Sequence, residues 1–320
     1  MKPLEPVPLE EIHLARDRIA GAAVRTPLVR LNAEGGPAEV WLKLENLQPI
    51  GSFKLRGASN ALASAPRDRL QDGVYTASAG NMAQGVAWNA RRLGVPCRVV
   101  VPESAPRTKL DAIARLGGET IPKPFAEWWQ VLVEHGHPDV DGYFVHPVSD
   151  PRVLAGNATI GLEIVEDLPD VDAVVVAYGG GALSCGIACA VQALKPGTPV
   201  YAAEVETAAP FAASLAAGSP QGVEWVPSFV DGIGSRGVLP EMWPLARSVL
   251  AGSIVSPLAD VAAAVRLLVE RNRVVAEGAG AAAVAAALSG RAGPGRVVAV
   301  VSGGNIDLAT LARILGGADA

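Results

Sequence analysis

Short runs rich in β-formers alternate with segments of helical periodicity along nearly the whole chain, and this alternation limits the fold more than any other feature. Val40–Glu45, Gly73–Ala77, Pro96–Val101, Tyr143–Val145, Ala173–Ala177, Val200–Glu204 and Arg296–Val301 read as strands. Many are apolar at successive positions, as strands covered on both faces must be. Between them Met82–Leu93, Lys109–Leu116, Phe125–Glu134, Leu154–Leu168, Leu183–Leu194 and Ala259–Asn272 carry helical patterns. Alternating β and α predicts mostly parallel sheets flanked by helices.

Three of these strands run directly into glycine-containing turns that open helices: Ser78-Ala79-Gly80-Asn81, Tyr178-Gly179-Gly180-Gly181-Ala182 and Ser302-Gly303-Gly304-Asn305. In open α/β sheets ligands collect at the carboxyl ends of strands, where helix N-termini present free N–H groups. The run Gly179–Gly181 suits a phosphate, because glycines let successive N–H groups face one anion. It is no dinucleotide fingerprint, since Ser184 stands where the last glycine would fall, and no Gly-Lys-Ser/Thr follows it. A tight βα turn without a ligand is the plainer alternative.

Composition excludes several classes of function. Half of the 320 residues are hydrophobic and only 18% are charged, enough for a packed core. A net charge of -5 without a basic run disfavours a nucleic-acid partner. The N-terminus lacks a signal pattern, and the longest apolar stretches, Ala279–Leu288 and Val297–Val301, are too short to span a bilayer. Three cysteines suit a reducing compartment, so the chain is expected to be cytoplasmic. Cys185 and Cys189, one helical turn apart, read as core packing rather than metal ligands. His135 and His137, beside Pro138 and Asp139, read as a solvated loop.

Lys54 lies between Phe53 and Leu55 in Gly51-Ser52-Phe53-Lys54-Leu55-Arg56-Gly57. Desolvation on an apolar stretch makes a lysine easier to deprotonate, and a neutral amine is what Schiff-base chemistry requires. By itself the segment reads more simply as a lysine that snorkels to solvent.

Together with the glycine turn, Lys54 belongs to a wider pattern. Lys43–Gly57 (KLENLQPIGSFKLRG), Ser78–Gly85 (SAGNMAQG), His146–Glu163 with Thr159-Ile160-Gly161-Leu162-Glu163, Gly179–Gly186 (GGGALSCG) and Val301–Asp307 (VSGGNID) resemble, in order, the threonine dehydratase and serine racemase family of pyridoxal-phosphate enzymes. Thr26-Pro27-Leu28 and Glu277-Gly278-Ala279-Gly280 add to the likeness, which spans nearly the whole chain.

The resemblance implies two open, mostly parallel α/β domains of the tryptophan-synthase-β-like, fold type II architecture. Residues 1–69 with 147–320 would form the large domain and 70–146 a small mobile one. It implies pyridoxal phosphate held as a Schiff base on Lys54, which would also remove the substrate α-proton. Phe53 would pack on the ring, Asn81 would bond its phenolic oxygen and Ser302 would meet its nitrogen. Gly179, Gly180, Gly181, Ala182 and Leu183 would cradle the phosphate. The turn of Ser78, Ala79, Gly80 and Asn81 would hold the substrate carboxylate, and Ser235 would be a further substrate contact, a surface turn being the plainer alternative. A neutral serine at the ring nitrogen makes a weaker electron sink than an aspartate partner would, which suits prompt β-elimination. The implied activity is dehydration and deamination of a β-hydroxy amino acid such as threonine or serine, by a homodimer or homotetramer.

Departures from the family pattern sharpen this expectation. Many relatives carry a second serine where Ala79 stands, and in the racemases that serine is the opposite acid/base, so racemisation is expected to be poor or absent. Pro210 replaces an aspartate of the family's divalent-cation site while Glu204 persists, so no such metal site is expected. Ala182 stands for a fourth glycine, and Met82 for a histidine. Trp128 and Trp129 fall near the position of an arginine that meets a second substrate carboxylate. With Trp129 in the pocket, an apolar or aromatic β-substituent would be favoured and a dicarboxylate rejected, because burying an unpaired carboxylate against indole is costly. The chain end soon after Ser302–Asp307 leaves no expected regulatory domain. The rivals are a racemase, a β-replacement synthase, a non-catalytic pyridoxal-phosphate-binding protein and, opposed by the failed fingerprint, an NAD-dependent enzyme.

Overall fold

The two ends of the chain meet in one sheet. In the computed structural model, which describes residues 2–33 and 35–317, β2 (Glu39–Leu44) pairs in parallel with β10 (Arg296–Val301), Val301 opposite Leu44. Around this pair lie β1 (Leu28–Arg30), β7 (Ala173–Ala177), β8 (Val200–Val205) and β9 (Gly252–Ser256), in the order β1-β2-β10-β7-β8-β9. Only β1 runs antiparallel to its neighbour. A second, wholly parallel sheet has the order β5-β4-β3-β6, from β3 (Val74–Ala77), β4 (Cys97–Pro102), β5 (Gly118–Lys123) and β6 (Tyr143–Phe144).

Helices cover both sheets, which is why β3 and β7 are buried at every position. They are α1 (Leu9–Ile19), α2 (Lys54–Ala63), α3 (Asn81–Leu93), α4 (Arg107–Arg115), α5 (Phe125–Glu134), α6 (Pro151–Asp167), α7 (Ala182–Leu194), α8 (Pro210–Ala217), α9 (Trp243–Val249), α10 (Leu258–Leu267), α11 (Gly278–Leu288) and α12 (Leu308–Leu315). A π-helical turn, Leu268–Asn272, extends α10. Small residues set the spacing between layers. A Cβ on Gly156 of α6 would lie 2.5 Å from the Arg56 carbonyl, so only glycine lets α6 lie this close to α2. No helix among the described residues is long and apolar enough to cross a membrane. Ala279–Leu288 is instead the interior of α11, buried nearly throughout.

The alternating strands and helices fall where the periodicity predicts, while β1, β5 and β9 lack a clear sequence signal. All three are sheet edges. An edge strand does not need an unbroken apolar run, and β5 carries Glu119, Pro122 and Lys123, a composition confined to edges.

Candidate active site

The carboxyl ends of β2, β3, β7 and β10 deliver the motif residues to one cleft between the sheets. After β2 the chain makes a short 3-10 turn and enters α2, with Lys54 as its first residue. The turn before it is stitched to the segment after β10. Phe53 N–H donates to the Ser302 carbonyl at 3.0 Å, Gly304 N–H donates to Gly51 at 2.9 Å, and Ser52 bridges Gly303. Ser302 is itself buried.

Lys54 Nζ donates to the Pro147 carbonyl at 3.0 Å and lies 5.3 Å from the centre of the Phe53 ring. Burial pushes its ammonium down to about 8, with the Glu277 carboxylate opposing the shift. The neutral amine is thereby easier to reach than in an exposed lysine. Two residues on, Arg56 is fully buried. Its guanidinium donates to both oxygens of Glu45 and both of Glu163, while Lys43 pairs with Glu163 at 2.6 Å. These charges lock the first turn of α2 to β2's end and to α6.

The glycine turn lies on the other side of Pro147. Val148, the next residue, packs against Gly180 so closely that a Cβ there would sit 2.5 Å from its methyl. Gly181 has φ of 96° and no side chain caps the first turn of α7. The leading N–H groups of α7 are thus left for an anion. Ser235 donates to the Gly179 carbonyl at 3.4 Å, bringing its loop against the same turn. A lysine with a lowered pKa beside an uncapped glycine cradle suits a phosphorylated aldehyde cofactor, and the residues fit pyridoxal phosphate.

His146 shapes the connection between these parts. Its Nδ1 accepts from the N–H groups of Val148 (3.0 Å) and Ser149 (2.7 Å), and Nε2 faces the Leu132 carbonyl at 3.1 Å. Burial and the neighbouring His135 push its pKa down to about 4, so the ring is neutral with its proton on Nε2. His135 differs from the solvated-loop expectation. It caps α5 in the left-handed conformation and stacks on His146 at 4.2 Å, because α5 folds back over this connection.

From the small sheet, the turn after β3 brings Ser78, Ala79 and Gly80 to the cleft, with Gly80 N–H donating to Ser78 Oγ at 3.2 Å. Asn81 begins α3, and its Nδ2 donates to Glu277 Oε1 at 2.9 Å. Burial and Asp231 raise the Glu277 carboxyl to about 7. Sequence reasoning gave no role to Glu277, Pro147 or His146. The available signal for Glu277 was a lone carboxylate opening a run of glycine and alanine.

Other expected positions are engaged elsewhere. Glu204 accepts from Phe211 N–H, Ala212 N–H and Ser253, and so caps α8, whose first residue is Pro210. Trp128 packs with Phe125 at 5.4 Å and joins the small sheet's apolar cluster, its indole N–H buried without a partner. Trp129 is 37% exposed and contacts Trp128. All three cysteines are buried, and burial raises each thiol's pKa, leaving them protonated and inert.

Comparison with known proteins agrees with this geometry. The chain is 39% identical to an L-threonine ammonia-lyase of Thermotoga maritima over 97% of its own length and 78% of the relative's. It is 36% identical to the L-threonine dehydratase catabolic TdcB of Escherichia coli, covering 98% of both chains. The structure of maize serine racemase superposes with a TM-score of 0.87 at 29% identity, over 98% of both chains. The model of the family described as pyridoxal-phosphate dependent enzyme matches residues 19–303, from the end of α1 to the turn after β10. This chain belongs to the pyridoxal-phosphate dependent enzyme family.

Proposed function

We propose that this protein is an ammonia-lyase that converts a β-hydroxy amino acid, threonine or serine, to a 2-oxo acid and ammonia. The observation that carries the reading is Lys54, held by the Pro147 carbonyl, its pKa lowered to about 8, beside the glycine cradle. Pyridoxal phosphate, when bound, supplies the electron sink that lets the α-proton leave. Lys54 would hold the cofactor, and its amine is the base that would take that proton. Phe53, Asn81 and Ser302 are the residues that would hold the cofactor's ring. The N–H groups from Gly179 to Leu183 would hold the phosphate. The Ser78–Asn81 turn and Ser235 bind the substrate.

Ala79 supports elimination over racemisation, since a methyl group cannot carry a proton to the opposite face of the α-carbon. Residues 70–146 act as the small domain that closes on residues 1–69 and 147–320. The protein works in the cytoplasm as a homodimer or homotetramer, which light scattering would check. The deciding experiment is release of 2-oxo acid from L- and D-threonine, serine, phenylserine and 3-hydroxyaspartate. Turnover of L-threonine or L-serine is expected; no 2-oxo acid from any of these substrates would remove the reaction.

A further inference from the structure

Glu277 stands at the start of α11 and is 6% exposed, yet it does not cap its own helix. Its carboxylate instead reaches Asn81, which comes from the small sheet's side of the cleft. The other end of the same amide is also held: Asn81 Oδ1 accepts from Asn305 Nδ2 at 2.8 Å, and Asn305 donates as well to the Ile50 carbonyl. A primary amide has two N–H donors. With one on Glu277 and the oxygen on Asn305, the amide is fixed against flipping, and one N–H remains for the cleft.

The charged groups around Glu277 come from several elements. Asp231, on the loop before Ser235, disfavours its ionisation, and Lys109 of α4 favours it. Lys54 at the start of α2 is a further cation within its field. The Asn305 backbone also favours the ionised carboxylate. Lys109 and Asp231 pair at 2.7 Å, a second polar link from the small sheet's side to the large.

We propose that Glu277 is a positioning residue for Asn81: its carboxylate holds the amide in the orientation that offers an N–H to the cofactor's ring oxygen, and the Lys109–Asp231 pair tunes the charge on that carboxylate. This rests on pyridoxal phosphate occupying the cleft as read above. An ionised acceptor holds an N–H about twice as strongly as a neutral one. The grip on Asn81 therefore tightens as pH rises through about 7, where burial and Asp231 have moved Glu277. Without Lys109, the Asp231 charge is less compensated and the transition moves to higher pH.

The test compares holoenzymes of the wild type, Glu277→Gln, Glu277→Ala and Lys109→Ala, reading cofactor absorbance across neutral pH, cofactor affinity, and kcat and KM for threonine. The wild type is expected to show a transition in absorbance near the Glu277 value. Glu277→Gln keeps a neutral acceptor, so it retains most of the plateau kcat and loses the transition. Glu277→Ala frees the amide, weakens cofactor binding and lowers kcat about tenfold or more, the scale of a misplaced site group. Lys109→Ala shifts the transition upward. A transition unchanged in Glu277→Gln, or a Glu277→Ala enzyme with wild-type absorbance and kcat, would overturn the proposal. If the wild type releases no 2-oxo acid, the assigned reaction fails while the absorbance arm still decides the role of Glu277. A wild type with no bound cofactor overturns both.

Discussion

Arg56 grips both carboxylate oxygens of Glu45 at 2.8 Å, two residues beyond Lys54. The pair belongs to a buried set of two cations, Arg56 and Lys43, and two carboxylates, Glu45 and Glu163. Burial alone would raise the Glu45 carboxyl, but the charge and hydrogen bonds of Arg56 hold it below the ordinary range. Such a set adds little net stability when intact, because desolvation offsets the attraction. Breaking it is another matter.

Arg56→Ala leaves two buried carboxylates with only Lys43 between them. A loss of about 3–5 kcal/mol in unfolding free energy is expected, measured by denaturant titration. Arg56→Lys should recover only part of it, since a single ammonium cannot replace the fork that reaches both Glu45 and Glu163. Wild-type stability in Arg56→Ala would show that the cluster is dispensable.

On the roles proposed for it, Lys54 is both cofactor attachment and base, and Lys54→Ala would remove both. Visible absorbance from bound pyridoxal phosphate and release of 2-oxo acid should disappear together. Survival of either, in a spectrum or a keto-acid assay, would refute the assignment of Lys54.

Gly180→Ala drives a methyl group into Val148. The glycine turn must shift or Val148 must move, and weaker cofactor binding by about tenfold is expected, near 1.4 kcal/mol. Val148→Ala in the same chain opens the space and should restore most of the affinity, as read by titrating the apoenzyme. Failure of this rescue would mean that the cradle is not limited by Val148.

His146 gives the fold a pH dependence with a defined sign. Its folded pKa of about 4 lies below the unfolded value, so the unfolded chain binds the extra proton first as pH falls. The stability it contributes is present above pH ~6.5 and is lost on the way down to about 4, on the order of 3 kcal/mol in all. Replacement by phenylalanine should flatten thermal stability across that window while lowering it at neutral pH, through two orphaned backbone N–H groups. A wild-type melting profile that stays flat between these pH values would contradict the neutral assignment.

Much of the cleft was legible because its chemistry rides on local backbone signals. Strand-to-glycine-to-helix turns at Ser78–Asn81, Gly179–Ala182 and Ser302–Asn305 announce where strands end and N–H groups collect, and Lys54 stands out as a cation in an apolar segment. The partners of Arg56 lay inside quoted motifs, Lys43–Gly57 and Thr159–Glu163, without their pairing being readable. The edge strands β1, β5 and β9 were silent, since an edge can be short and polar.

Alternation of apolar runs with helical periods, and the glycines that punctuate it, determined by themselves that this chain forms parallel sheets with glycine turns at the strand ends. Those signals are local: each depends on the backbone and side-chain preferences of neighbouring residues. Only the tertiary structure decided that Glu277 meets Asn81 across 196 positions, that Arg56 meets Glu163 across 107, and that Pro147 faces Lys54 across 93. Such contacts arise when separate layers pack on one another, and burial then raises the cost of any charge left unpaired. No local pattern encodes that cost.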